Sequence, residues 1–241
     1  MSTPAGTTHR RTLRWQNARV LSVRDETPTA RTYRLLLPEP RRHLAGQHYV
    51  LRLTAPDGYS ASRSYSVASA PDDIGEIELT VERLVGGEVS EFLHDVVAAG
   101  DELEVRGPIG LFFVWPGDRP ALLVGGGSGV VPLMAMLRLA RRTGRADLVR
   151  MVVSVRTPAD LLYAAEMGGP ETTVVYTREA PAELPRAAGR LTVADLPVVM
   201  DGADGTAYVC GSAGFCNAAG DLLVPLGQPV DRIRTERFGP T

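Results

Sequence analysis

The sequence predicts a two-domain protein, with an antiparallel β-barrel in its first half and an α/β domain with a parallel sheet in its second half. The chain has 241 residues, which is enough for two modest hydrophobic cores. The first half contains short strand-forming runs separated by turn residues, whereas the second half alternates such runs with helical patterns. We therefore expect a tail over residues 1–14, the barrel over 15–115 and the α/β domain over 116–241.

The barrel is predicted from six short β-friendly runs. They are Ala18–Val23, Thr32–Leu37, His48–Thr54, Ser64–Ala68, Ile77–Arg83 and Glu102–Arg106. Short strands at this spacing are typical of a small barrel. One helix is predicted over 90–98, because Ser90 is a suitable N-cap and four apolar residues follow it. These residues, which should form the buried face, are Phe92, Leu93, Val96 and Val97.

The α/β domain is predicted from strands and helices that alternate after a linker at Trp115–Pro120. The strands are Ala121–Val124, Leu148–Val155, Thr172–Tyr176, Ala207–Val209 and Ile233–Glu236. The helices are Pro132–Arg142, Ala159–Met167 and Gly214–Leu223. This alternation indicates a parallel sheet covered on both faces.

Composition excludes several classes of function. A net charge of −2 gives no reason to expect nucleic acid or a membrane surface as partner. The longest apolar run, Pro120–Val131, is shorter than the roughly 20 residues that a membrane span needs. Two cysteines are too few for an iron–sulfur centre, which takes about four thiolates, and the four histidines show no metal-ligand spacing. The polar N-terminus does not look like a signal peptide, so we expect a cytoplasmic protein. We also expect a monomer, and a chain without a metal site.

A strand end in the first half carries Arg63, Ser64, Tyr65 and Ser66, which combine a cation, an aromatic ring and hydroxyl groups. Taken alone, this pattern also fits an ordinary strand with exposed polar residues and one packed tyrosine. Further along, Gly86, Gly87, Glu88, Val89 and Ser90 precede the one helix predicted in this half. That segment is either a hairpin loop with an N-cap or a cradle whose backbone N–H groups bind phosphate.

A second glycine-rich turn stands between an apolar strand and an apolar helix. It contains Gly126, Gly127, Ser128 and Gly129, with Pro132 where the third glycine of the usual pattern would stand. A strand, such a turn and a helix place N–H groups and the positive helix end around a pyrophosphate. The same glycines also suit a tight strand–helix turn.

Taken in order with Cys210-Gly211 downstream, these motifs resemble the ferredoxin–NADP reductase superfamily of flavoenzymes over nearly the whole chain. The resemblance implies an FAD-binding barrel and an NAD(P)-binding α/β domain. It implies that Tyr65 stacks on the flavin, that the Ser66 hydroxyl faces flavin N5, and that Arg63 and the Gly86–Ser90 cradle bind the FAD pyrophosphate.

The resemblance also assigns residues to the nicotinamide side. Gly126–Gly129 and Pro132 would bind the pyrophosphate of the nicotinamide nucleotide, and Cys210 would lie beside the nicotinamide C4. Gly211 would let the backbone approach the dinucleotide. Near the C-terminus, Phe238 would cover the flavin and Glu236 would help to relay protons.

Three arginines occupy positions that contact the adenosine ribose in this family, namely Arg156, Arg178 and Arg190. A carboxylate would bind the free 2′-hydroxyl of NADH, whereas arginines accommodate a 2′-phosphate. The end of the strand carries no carboxylate, so the sequence favours NADPH over NADH. Similar arginines also occur in NADH-using relatives or as plain surface charge.

The expected function is an FAD-dependent NAD(P)H oxidoreductase that passes electrons to a separate acceptor, such as a ferredoxin or an oxygenase component, because no iron–sulfur domain is fused to it. The alternative is a non-catalytic or regulatory electron-chain subunit that keeps the fold and FAD.

Overall fold

A computed structural model of the chain describes residues 13–72, 75–197 and 205–239. In these ranges the chain forms two β-sheets and three α-helices. Of the tail predicted over 1–14, all but residues 13 and 14 lies outside the described ranges.

The first sheet has six antiparallel strands, in the spatial order β4-β3-β6-β1-β2-β5. Their bounds are β1 Gln16–Thr27, β2 Ala30–Leu36, β3 His48–Thr54, β4 Ser60–Ser66, β5 Glu76–Glu82 and β6 Glu102–Ile109. A bridge between Val67 and Leu79 joins the two ends of the sheet, so it curls into a barrel. Its core is built from the inward side chains of the alternating strands, among them Tyr33 and Leu79. The predicted barrel is confirmed.

The helix of this half, α1, covers Glu88–Asp95 and begins two residues before the predicted start. Gly87 is its N-cap, so Ser90 lies inside the helix instead of capping it. The predicted apolar face is half wrong, since Leu93 is buried whereas Phe92 is exposed. Starting the helix earlier turns Val89 and Leu93, one turn apart, towards the barrel core, and it leaves Phe92 outside.

The second sheet has five parallel strands, in the order β11-β10-β7-β8-β9. The strands are β7 Ala121–Gly126, β8 Val149–Val155, β9 Thr172–Tyr176, β10 Thr206–Gly211 and β11 Ile233–Arg237. Helix α2 covers Val130–Arg142 and α3 covers Ala213–Leu223. Both the parallel sheet and these two helices confirm the sequence prediction, with bounds that shift by two residues at most.

The helix predicted over Ala159–Met167 does not form. The segment makes two single 3₁₀ turns, Pro158–Asp160 and Ala164–Glu166. Between them Tyr163 has a left-handed backbone with φ of 54°, which interrupts any helix. The turn at Pro158 is held by a capping box between Thr157 and Asp160.

Helix α2 lies between the two sheets. Every residue from Val130 to Leu137 is buried, which is the pattern of a helix packed on both sides. The cluster around it contains Ala45, Ala68 and Trp115 from the first half together with residues of β7, β8 and β10. The barrel and the parallel sheet therefore share a continuous apolar interface.

Two further observations concern the described part of the chain. No helix there is long and apolar enough to cross a membrane. Nor do its histidine, cysteine and carboxylate side chains form a group of three or more that could hold a metal ion.

Candidate functional site

The first group of predicted site residues lies on β4, an edge strand of the barrel. Tyr65 is partly buried and packs against the barrel core, and Ser66 is buried opposite His48 of β3. Ser64 and Arg63 are exposed, and Arg63 Nη1 donates to the Ser62 carbonyl at 2.8 Å. The strand end thus presents an aromatic ring, an exposed cation and a hydroxyl within four residues.

The first glycine-rich segment folds back on itself before α1. Gly86 has a φ of 74° and Gly87 donates its N–H to the Leu84 carbonyl at 2.8 Å. The Ser90 hydroxyl accepts from Leu84 N–H and donates to the Gly87 carbonyl, so it is used within the turn. The N–H groups left for a phosphate are those of the first helical turn, from Glu88 to Ser90, which have no partner inside the helix.

The charge around this turn is mixed. Glu88 and Glu91 stand in the first turn of α1, and Glu91 Oε1 accepts the N–H of Gly86 at 3.1 Å. Carboxylates here would repel an anion, so a phosphate at this turn needs a nearby cation. Arg63 on β4 is the predicted residue that can supply one.

The second glycine-rich turn connects β7 to α2 through a 3₁₀ turn at Gly127–Gly129. A Cβ at Gly126 would stand 2.7 Å from the ring of Phe215, and a Cβ at Gly129 would overlap the Cys210 carbonyl oxygen. These two glycines are required for packing. Gly127 differs, because it has a φ of 55° and open space where a Cβ would be. No side chain caps the N-terminus of α2, and Pro132 fits its first turn because proline needs no N–H partner there.

Cys210 and Glu236 are directly paired on neighbouring strands β10 and β11. Cys210 is fully buried, and burial together with the nearby Glu236 carboxylate raises the pKa of its thiol, which keeps the thiol neutral. Burial also raises the pKa of Glu236 to about 7, and its buried Oε2 has no hydrogen-bond partner among the described residues. This carboxyl can therefore hold or lose a proton near neutral pH.

The C-terminal segment is part of the site. Phe238 donates its backbone N–H to the Gly211 carbonyl at 2.9 Å, and its ring packs against the interdomain cluster. That cluster contains Cys210 as well as Ala68, which lies two residues after Ser66. The chain just after β4 and the end of β10 thus contribute to the same apolar cluster between the two sheets.

The three arginines lie on neighbouring loops at the carboxyl ends of β8 and β9. Arg178 donates its backbone N–H to the Arg156 carbonyl at 2.9 Å, and Gly189, just before Arg190, bonds the Tyr176 carbonyl. All three side chains are exposed. Arg156 forms an ion pair with Asp160 at 2.6 Å, so a carboxylate stands close to the strand end after all.

Sequence reasoning missed two residues at the interface. Arg138 of α2 and Tyr163 of the left-handed turn both make hydrogen bonds to the barrel half. Arg138 could have been noticed as a cation one residue after a fully apolar helical run. Nothing in the local sequence of Tyr163 indicates its partner, which is 83 residues away.

Two protein families match separate parts of the chain. A family model of the oxidoreductase FAD-binding domain matches residues 17–114, and one of the oxidoreductase NAD-binding domain matches residues 123–221. The chain therefore carries an FAD-binding domain followed by an NAD-binding domain.

Curated relatives include reductase components. The glycine betaine monooxygenase reductase subunit of Pseudomonas aeruginosa is 32% identical, with 94% of this chain and 66% of that protein covered. The ferredoxin reductase component of 3-ketosteroid-9-alpha-monooxygenase from Mycolicibacterium smegmatis is 31% identical, with 91% and 64% covered. The chain thus spans just under two thirds of the length of these relatives.

Solved structures share the fold. The FAD/NAD-binding domain of nitric oxide dioxygenase from Vibrio cholerae superposes with a TM-score of 0.83 at 24% identity, covering 93% of this chain and 99% of that one. A cytochrome P450 reductase from Amycolatopsis has a TM-score of 0.75 at 31% identity, covering 95% and 71%.

Proposed function

Because the chain belongs to the ferredoxin–NADP reductase superfamily, we propose that it oxidises a reduced nicotinamide nucleotide with FAD and passes the electrons to a separate protein. One observation carries the proposal most. Ala68, just after β4, and Cys210, near the end of β10, belong to one apolar cluster, against which Phe238 packs. A nicotinamide bound at β10 and a flavin bound at β4 would meet at this boundary.

The residues present fit two dinucleotides. Gly127 leaves open space at the start of an uncapped helix, which suits a pyrophosphate. Tyr65 offers an aromatic face for a flavin ring, and Arg63 offers a cation for its pyrophosphate. FAD, when bound, accepts a hydride from a reduced nicotinamide and can release the electrons one at a time.

The chain's own residues orient the reacting groups and hold protons. In this proposal the buried Ser66 hydroxyl and the neutral Cys210 thiol would flank the meeting point of the two cofactors without adding charge. Glu236 carries a proton near neutral pH, so it can take up or supply one there. The Phe238 ring, packed against the same cluster, would keep water out of this boundary and would have to move for a nicotinamide to bind there.

We propose a preference for NADPH over NADH, supported by the exposed Arg156, Arg178 and Arg190 on adjoining loops. Arg156 already pairs with Asp160, so Arg178 and Arg190 would bear most of a 2′-phosphate contact. Equal kcat/KM for the two nucleotides would contradict this preference.

The acceptor we propose is a ferredoxin or an oxygenase component. It is supported by relatives whose names describe reductase components of monooxygenase systems. The rival proposal, a regulatory subunit that keeps FAD without turning over, is disfavoured because Gly127 and Cys210 serve a nicotinamide and not the flavin alone. We also propose that the two domains divide between residues 115 and 116.

The test is the spectrum of the purified protein. We expect flavin absorbance that is bleached anaerobically by NADPH or NADH, and release of FAD, not FMN, on heating. Tyr65→Ala should lose much of its flavin, since an aromatic stack is worth on the order of 1 kcal/mol beyond area burial. Tyr65→Phe, which keeps the ring, is the matched control and should retain the flavin. A flavin that NAD(P)H cannot bleach would favour the regulatory subunit, and a protein that binds no flavin would overturn both proposals.

A further inference from the structure

Helix α2 runs from the predicted nucleotide turn to a contact with the barrel half. Its N-terminus follows directly on the Gly127–Gly129 turn, and Arg138 stands eight residues further along. At about 1.5 Å per residue, these points are about 12 Å apart on a straight helix that is buried on both sides. Whatever fixes Arg138 therefore fixes the position of the turn.

Arg138 crosses to the barrel half. Its Nη1 donates to the Ala68 carbonyl at 3.0 Å and to Glu78 Oε2 at 2.8 Å. Ala68 is two residues beyond Ser66, so the guanidinium holds the backbone of the predicted flavin strand. The other side of the guanidinium is bound by both oxygens of Glu166, at 2.9 and 2.5 Å, in the second half.

Electrostatics favours this arrangement. The Arg138 side chain is 17% exposed. Burial alone would lower its pKa, but the hydrogen bond and attraction of Glu166 and the attraction of Glu78 outweigh it, so the pKa is raised. Two carboxylates and a carbonyl around one planar donor make a strongly directional contact.

Tyr163 makes a second connection at the same place. Its ring lies below the guanidinium, with 5.0 Å from the Arg138 Cζ to the ring centroid. Its hydroxyl bonds the Thr80 hydroxyl at 2.6 Å, and Thr80 in turn bonds Thr32 at 2.7 Å. The left-handed backbone of Tyr163 is thus held by contacts with the barrel.

We propose that Arg138 is a positioning residue for hydride transfer, which sets the distance between the nucleotide turn at Gly127–Gly129 and the flavin strand at Ser66, with Tyr163 as its support. The proposal rests on the proposed function for its kinetic consequence. A displacement of about 1 Å between reacting groups can slow a reaction by about a hundredfold, so the distance between the turn and the strand should affect the rate.

The kinetic test compares Arg138→Met with Arg141→Met. Arg141 lies on the same helix and is also ion-paired, but its partners Glu171 and Glu166 belong to the second half only. Anaerobic stopped-flow mixing with NADPH and with NADH gives the rate of flavin reduction and the nucleotide Kd. For Arg138→Met we expect reduction at least tenfold slower, a Kd within threefold of wild type and a weaker nicotinamide–flavin charge-transfer band, while Arg141→Met should match wild type. Arg138→Lys should recover part of the rate.

A second readout does not depend on the flavin. Spin labels on Asn17→Cys in the barrel and Asp221→Cys on α3, both exposed positions, report the distance between the halves in flavin-free protein. The distance distribution should broaden with Arg138→Met and stay narrow with Arg141→Met. Tyr163→Phe, which removes one hydroxyl, should fold normally and broaden it slightly, so the test survives if Arg138→Met does not fold.

The outcomes separate the two proposals. If wild-type flavin is not reduced by either nucleotide, the proposed function fails. The spin-label result still decides whether Arg138 sets the distance between the two halves. An unchanged distribution with Arg138→Met, or reduction slowed equally by Arg141→Met, overturns the positioning role.

Discussion

Glu236→Gln should make the stability of the protein less dependent on pH. The carboxyl is half-buried beside Cys210, and its buried Oε2 finds no partner among the described residues. Burial raises its pKa to about 7 from an ordinary value of 4.5. Ionising it inside the folded protein is therefore unfavourable, whereas glutamine has nearly the same shape and stays neutral.

The size of the effect follows from the two pKa values. At about 1.4 kcal/mol for each tenfold change in acidity, a rise from 4.5 to about 7 corresponds to about 3 kcal/mol. Because the group is partly accessible, we expect about 2 kcal/mol. Below pH 4.5 the carboxyl is protonated in both states, and the wild type has its full stability. As the pH rises from 4.5 through 7, the unfolded state ionises first and this stability is lost.

Urea unfolding of the flavin-loaded protein with a fixed excess of FAD, at pH 5, 6, 7 and 8, measures the difference. Glu236→Gln should exceed the free energy of unfolding of wild type by less than about 1 kcal/mol at pH 5 and by about 2 kcal/mol at pH 8. Glu102→Gln, on an exposed carboxylate at the start of β6, is the control and should show no such trend. A constant difference between Glu236→Gln and wild type at all four pH values would refute the argument that the carboxyl is buried without a partner.

Three further predictions concern single residues. Gly129→Ala, whose methyl group would overlap the Cys210 carbonyl, should lower the free energy of unfolding in urea by about 1–3 kcal/mol. The control Gly220→Ala, in open space inside α3, should raise it by about 1 kcal/mol. Equal effects would show that the tight contact at Gly129 is relieved by backbone movement. Cys210→Ala should slow flavin reduction in stopped-flow experiments with little change in nucleotide Kd, and an unchanged rate would remove Cys210 from the reacting groups. Arg178→Ala should raise the KM for NADPH about tenfold in steady-state assays and leave that for NADH alone, and parallel changes would argue against a 2′-phosphate contact.

Much of the fold could be predicted because its signals are local. Strands β3 and β9 agree with the prediction residue for residue, since alternating or continuous apolar runs end there at turn residues. Helix α2 was predicted from its apolar run, although the 3₁₀ turn before it and its start at Val130 were not.

The failures depend on distant contacts. Residues 159–167 have a helical composition, but Tyr163 is held in a left-handed conformation by Thr80 and Arg138. The start of α1 was misplaced because the Ser90 hydroxyl bonds the preceding turn and does not cap the helix.

For the candidate site, the sequence indicates single residues but not the contacts between them. The motifs, through their resemblance to the reductase family, point to Tyr65, Gly127 and Cys210, whose roles stay predictions. The pairing of Cys210 with Glu236 and the ion pair between Arg156 and Asp160 needed the strand register and the loop geometry.

The ring of Phe215 has a consequence for how such sequences vary. It lies 2.7–2.8 Å from where a Cβ would stand at both Gly126 and Gly211, so one aromatic side chain fills the space of two missing methyl groups. These three positions should co-vary in natural variants: alanine at 126 should be found together with a smaller residue at 215. A search that requires glycine at position 126 and ignores position 215 would then miss nucleotide-binding sequences that carry alanine at 126 and a smaller residue at 215.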